Sequence, residues 1–205
     1  NKMSSTMGTT IATWHYAKSG YIQWKLAGVC VVLAVAGSTI GSNLVLITSD
    51  AFLRVFLLAV LPTTAIYVMR SKSFGKQDKE PLSPKRTAAL CALVAFCVGI
   101  YDGFYGPGTG TFLMLLLTGV AHLKLKSAAG ITKAINLTTN VTALVVFLLH
   151  GQVLLVLGLV AGAFNIVGNY LGSHSFSKNG GAVARPITIV VLVIFFAKVI
   201  WDFVA

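Results

Sequence analysis

Residues 134–177 read AINLTTNVTALVVFLLHGQVLLVLGLVAGAFNIVGNYLGSHSFS, 44 positions without a single Asp, Glu, Lys or Arg. A helix rises 1.5 Å per residue, so about 20 apolar residues cross a ~30 Å hydrocarbon core. This run is long enough for two crossings. Residues 26–49 are also uncharged. Outward from these runs, apolar segments fall at about 3–17, 24–48, 51–69, 86–104, 109–123, 127–149, 152–176 and 184–204. Over all 205 residues 56% are hydrophobic and 10% charged, whereas a soluble domain carries about 25% charged residues. Too little charge is present to coat a water-facing surface. The sequence predicts an all-α fold, a polytopic transmembrane helical bundle, and argues against a soluble enzyme, a nucleic-acid binder or a disulfide scaffold.

The net charge of +11, from 16 basic and 5 acidic residues, fits the same reading. Lys and Arg gather in short loops, as the positive-inside rule requires. The densest cluster is Arg70, Lys72, Lys76, Lys79, Lys85 and Arg86. Cys30, Cys91 and Cys97 are odd in number, lack C-x-x-C spacing and lie in apolar segments, so buried free thiols are expected. His15, His122, His150 and His174 show no paired spacing, so no metal site and no cofactor are expected. Trp14, Tyr16, Tyr21 and Trp24 bracket Gly20 as an aromatic belt would.

The polar linker 70–86 splits the chain, and a shift of 131 residues superposes the halves. Lys2 falls on Lys133, Gly20 on Gly151, Gly37 on Gly168, Gly41 on Gly172, Ser42 on Ser173 and Arg54 on Arg185. Glycines and rare intramembrane cations coincide, which points to an internal duplication. The expected organisation is a first repeat over 1–74, lacking its N-terminal part, and a second over 75–205. Residues 87–131 have no partner, so roughly 45–50 residues are expected to precede Asn1 in the intact protein. With the basic linker in the cytoplasm, the Lys18/Lys25 loop falls inside as well. If 109–123 crosses, the Lys124/Lys126 and Lys178/Arg185 loops follow and the repeats are inverted; if it is re-entrant, the repeats are parallel. Charge favours inversion, and the shortness of 111–123 resists it.

Two stretches could carry chemistry. In Asp102-Gly-Phe-Tyr-Gly-Pro-Gly-Thr-Gly-Thr111, four glycines and a proline interrupt an apolar stretch. Broken backbone at membrane depth is tolerated where protein buries it or a wet cavity bathes it. The next helix N-terminus offers N–H groups and a positive dipole end, an anion seat built from Gly106, Gly108, Thr109 and Gly110. A plain interfacial turn is the simpler alternative. The second stretch is a stripe: Lys133, Asn136 and Asn140 share one helix face, and Lys2, Ser5 and Thr9 occupy the equivalent positions in the first half. An ammonium inside a membrane costs about 2.5–3.5 kcal/mol on insertion scales. No acid recurs with these lysines, so an anionic ligand is expected as counter-ion; snorkelling lysines and amide glue between helices would explain the stripe otherwise. Asp102 could relay a proton, pair with Lys133 or sit at the membrane surface. Gly37-x-x-x-Gly41 and Gly168-x-x-x-Gly172 are expected to pack helices closely.

The stretch Tyr101-Asp-Gly-Phe-Tyr-Gly-Pro-Gly-Thr-Gly-Thr-Phe112 resembles the second-repeat glycine motif of the sulfite exporter TauE/SafE family, also called the 4-toluene sulfonate uptake permease family. Lys133 with Asn136 and Asn140, and Gly168-x-x-x-Gly172, continue the likeness, and Asn1-Lys2 resembles the end of the first-repeat motif. The resemblance implies a multi-pass protein of the bacterial inner membrane, with two repeats of about four spans. It would move sulfite, sulfoacetate or related organosulfonates and carboxylates as a secondary transporter. Its partners would be a small anion, the lipid bilayer and, for a homo-oligomer, further copies of itself; nucleic acid is not expected. The rival readings are a membrane-embedded enzyme or a non-transporting subunit. An enzyme would need a nucleophile with a base, or metal-ligand spacing, and neither is visible.

Overall fold

The computed structural model describes residues 1–49, 51, 52, 56, 80–179 and 190. Among these, six helices form: α1 (Lys2–Lys18), α2 (Trp24–Leu46), α3 (Pro84–Phe104), α4 (Thr109–Gly119), α5 (Leu125–Leu149) and α6 (Leu155–Asn179). The expected segments 51–69 and 184–204, the residues Asp50, Arg54 and Arg185, and most of the basic linker lie outside the described residues. No strand occurs among the described residues. Helices α2, α3, α5 and α6 are long and apolar enough to cross a membrane.

Local chemistry sets the helix ends. Pro84 occupies the start of α3, where its fixed φ suits the helix and its missing N–H costs nothing. Helix α1 gives way to Gly20 at φ 72 and α5 to Gly151 at φ 68, a left-handed geometry that glycine adopts freely. The two turns share their hydrogen bonds. Ser19 N–H donates to His15 O, Gly20 to Ala17 O, Tyr21 to Tyr16 O and Ala27 to Gln23 O. His150 donates to Val146 O, Gly151 to Leu148 O, Gln152 to Phe147 O and Gly158 to Leu154 O. Each bond in the second set lies 131 residues after its counterpart.

Contacts fix the helix directions. Thr13 Oγ1 donates to Lys133 O at 3.1 Å, while Lys2 shares a cavity with Leu144, so α1 and α5 run antiparallel. Met3 and Met7 lie against Gly158 and Gly162, and His15 bonds Ser177, so α1 and α6 run parallel. Helices α2 and α3 are parallel too. There Gly37 and Gly41 lie so close to the Phe96 and Ile100 carbonyls that a methyl at either would overlap them, and Gly99 and Gly103 meet the Ala34 and Ser38 backbone in return. This is the close contact expected of small residues four apart. Gly168 and Gly172, expected to do the same, have nothing within 4 Å among the described residues.

Helix α4 is 11 residues long, about 16 Å, roughly half a hydrocarbon core. It nevertheless returns the chain to the end where α3 began, for His122 Nδ1 lies 2.8 Å from Glu80 O. Gln23 Nε2 donates to Ser127 Oγ at 2.9 Å at the same end. Seven cations therefore collect there: Lys18, Lys25, Lys85, Arg86, Lys124, Lys126 and Lys178. The remaining described cations, Lys2 and Lys133, are inside the bundle. The core between the ends is apolar, built on Cys30, Ala34, Cys91, Ala95, Leu113, Leu117, Ile131 and Ile135. Cys97, expected to be buried, is exposed, as are Trp14 and Trp24; Tyr16 is instead a core residue.

Candidate functional site

Asp102, in the last turn of α3, is buried and accepts from three directions. Lys2 Nζ approaches its Oδ1 at 3.1 Å and also donates to its backbone carbonyl. Thr109 Oγ1, at the start of α4, donates to Oδ1 at 2.8 Å. The other carboxylate oxygen, Oδ2, is buried without a partner among the described residues. Lys2 is buried as well, so the pair removes two opposite charges from solvent together. This corrects two expectations. Lys2 has a fixed acidic counter-ion, and Asp102 pairs with Lys2 rather than with Lys133 or the membrane surface.

The glycine loop makes that pair geometrically allowable. Gly106 has φ 99, and a Cβ there would lie 2.9 Å from both Asp102 Oδ1 and Lys2 Nζ. Gly108 caps α4 at φ 84, and Tyr101 OH donates to Pro107 O at 2.5 Å across the loop. Its carbonyls already take several amides of the first turn, since Thr109 N–H donates to Gly106 O and Thr111 and Phe112 to Gly108 O. Gly110 faces Asn136, whose Nδ2 would be 3.3 Å from a Cβ at that position. Asn136 Oδ1 is buried and unpartnered among the described residues. Loop and stripe therefore meet at Gly110 and Asn136. A cavity of about 500 Å³ opens at Lys2, lined also by Gly103, Tyr105, Leu144, Gln152 and Leu157 among others.

Lys133 has a different environment. Its Nζ donates to Asn169 Oδ1 at 3.2 Å, and no carboxylate lies within ion-pair distance of it among the described residues. Asn169 Nδ2 in turn donates to Asn165 Oδ1 at 2.6 Å, and Asn165 Nδ2 to Ser4 Oγ at 3.0 Å. Asn165, Asn169 and Ser4 were not singled out in the sequence. The available signal was a pair of amides one turn apart in the otherwise apolar α6.

One further comparison decides the family. The profile described as "Sulfite exporter TauE/SafE" matches residues 1–199. The chain belongs to the TauE/SafE family. Three relatives match nearly the whole of this chain and about three quarters of their own length. "Probable membrane transporter protein ORF9" of a Sinorhizobium species is 29% identical over 98% of this chain and 77% of its own. A "Probable membrane transporter protein" of Haemophilus influenzae is 26% identical over 98% and 78%. "Probable membrane transporter protein YfcA" of Escherichia coli K12 is 27% identical over 98% and 74%. No solved structure matches. The chain is thus a membrane transporter of the TauE/SafE family.

In this TauE/SafE chain the expected site residues are distributed over two places. Lys2, Asp102, Gly106 and Thr109 cluster with the loop, and Gly110 with Asn136. Lys133 lies at the height of Thr13 on α1, about 16 Å along the helix from Lys2. Ser5 turns its hydroxyl to Asn1 Oδ1 at 3.2 Å. Thr9 donates to Ser5 O at 2.7 Å and Asn140 Nδ2 to Asn136 O at 2.7 Å, so both satisfy their own helices. Among the described residues no group of three His, Cys, Asp or Glu could hold a metal.

Proposed function

We propose that this protein is a secondary transporter exporting small oxyanions, such as sulfite, sulfoacetate or related organosulfonates and carboxylates, across the bacterial inner membrane. The observation that carries the reading is Lys133: a partly buried ammonium within the membrane-crossing helix α5, with a neutral amide as partner. Leaving such a charge without a counter-ion is costly, and a bound anion offsets that cost. Asn136 supplies a polar side chain beside the Gly110 helix start, and Asp102, with one oxygen unpartnered among the described residues, would accept the proton of a coupled cycle.

The architecture proposed for it is two inverted repeats, 1–74 and 75–205. Support comes from the four hydrogen bonds that recur at the Gly20 and Gly151 turns and from the antiparallel course of the equivalent helices α1 and α5. The seven cations at one end support a cytoplasmic location for that end, by the positive-inside rule. Transport would follow rocking of one repeat against the other.

The test is flux of sulfite and sulfoacetate in proteoliposomes, wild type against Lys133→Ala, with folding checked by size-exclusion profile. A folded variant with flux reduced at least tenfold supports transport through Lys133. Equal flux would return Lys133 to a snorkelling role. A Lys133→Ala protein that fails to assemble would favour the rival reading, a structural subunit.

A further inference from the structure

The row from Lys133 to Ser4 is polar from end to end. Lys133 Nζ meets Asn169 Oδ1 at 3.2 Å, Asn169 Nδ2 meets Asn165 Oδ1 at 2.6 Å and Asn165 O at 3.0 Å, and Asn165 Nδ2 meets Ser4 Oγ at 3.0 Å. Ser4 stands two residues from Lys2 on α1. The row therefore links the height of one interior lysine to that of the other along the α1–α6 interface. Space is reserved for it: Gly8 of α1 lies against both amides, and a Cβ there would overlap Asn165 Oδ1 and Asn169 Nδ2.

Chemistry distinguishes this row from the Lys2 cluster. At Lys2 the partner is a carboxylate, supplied by the chain itself. Along the row every oxygen is a neutral amide or hydroxyl, and every donor points at one of those weak acceptors. A carboxylate, sulfite or sulfonate oxygen accepts from an ammonium or amide N–H about twice as strongly as a neutral oxygen does. An entering oxyanion can thus replace Asn165 Oδ1 and Asn169 Oδ1 as acceptor while the side chains rotate their N–H groups towards it. The two amides already touch at 2.6 Å, so an anion held by one lies within reach of the other.

We propose that Lys133, Asn169, Asn165 and Ser4 form an anion-binding station for small oxyanions, with Asn165 and Asn169 passing the anion towards the height of Lys2. This rests on the transport reading above and adds residues to it. The Lys2–Asp102 pair marks the far end, where the anion would compete with Asp102 for the ammonium.

Asn169→Asp tests the station in the full-length protein. The change is isosteric and sets a carboxylate beside Lys133, so the station would carry its own anion. With sulfite as probe, wild type should show a sulfite-dependent rise in thermal midpoint, and Asn169→Asp should need at least tenfold more sulfite for the same rise. Sulfite flux into proteoliposomes should show the same increase in half-saturating concentration. Asn169→Gln, which keeps the amide, should remain within about threefold of wild type, a rescue that a packing role does not predict. Should Asn169→Asp fail to fold, Asn169→Leu carries the same comparison. An unchanged sulfite response in Asn169→Asp or Asn169→Leu, with wild type responding, overturns the station and leaves the transport reading standing. Absence of both sulfite binding and sulfite flux in wild type overturns the two readings together.

Discussion

Lys2 and Asp102 lie 100 positions apart in sequence and 3.1 Å apart in space, and the smallest residue in the loop decides whether they can meet. Gly106→Ala would add a methyl 2.9 Å from each charged atom and impose a side chain on a left-handed backbone. The expected cost is about 1–3 kcal/mol, read as a lower thermal midpoint in detergent. Asp102→Asn would leave the Lys2 ammonium buried with a neutral partner, a change that costs about 3–5 kcal/mol where a buried pair is broken. The double variant Lys2→Met with Asp102→Asn should recover part of that loss, because an uncompensated charge is then removed. The same midpoint measurement checks it. Lys2, Lys133 and Asp102 were all legible as unusual, since charges within apolar runs are rare and expensive. Their pairing was not, because nothing local ties position 2 to position 102. Asn165 and Asn169 escaped notice because an amide in an apolar helix has an ordinary explanation as helix glue, and the contact of Asn169 with Lys133 exists only in three dimensions.

Helix boundaries followed from the sequence wherever hydropathy changed abruptly. Apolar segments 24–48 and 127–149 became α2 over Trp24–Leu46 and α5 over Leu125–Leu149, with Gly20 and Gly151 marking the turns. The segment 109–123 was harder, since 11 residues of helix do not span a membrane by length. Its outcome depends on a tertiary contact, His122 to Glu80, which periodicity cannot reveal. The glycine pairs illustrate the same division. Gly37-x-x-x-Gly41 and Gly168-x-x-x-Gly172 look alike in sequence, yet only the first touches a neighbour among the described residues. Gly41→Ala should therefore strain the α2–α3 contact by about 1–3 kcal/mol, as overpacking does. Gly28→Ala, on an exposed stretch of the same helix with nothing within 4 Å, should leave stability unchanged or slightly raised. Thermal unfolding of the two variants side by side separates packing from helix propensity.

At the scale of the molecule, the described residues are polarised end to end. Charge counting alone placed Lys18 and Lys25 on the side of the basic linker, and Lys124 and Lys126 with them only if 109–123 crosses; the helix directions bring these four to one end of the bundle. Single cysteines at Lys85, Lys124 and Lys178, in a background with Cys97 replaced, should react with an impermeant maleimide from one side of the membrane. A cysteine at Gln152 should react from the other. Labelling of Lys124 and Gln152 from the same side would refute the arrangement.

That polarity has an electrical consequence. The Lys133 ammonium meets Asn169, which lies against Gly8 of α1, six residues or about 9 Å along the helix from Lys2 and roughly a third of the hydrocarbon core. A full crossing is worth about 2.3 kcal/mol per elementary charge at 100 mV, so a monovalent anion moving between the two lysines experiences about a third of that. With the basic end in the cytoplasm, at the negative pole of an energised cell, the movement from Lys133 to Lys2 is downhill in voltage. For the anion export proposed above, the resting potential alone would then favour efflux, and collapsing it with an ionophore would slow that export without touching any residue of the protein.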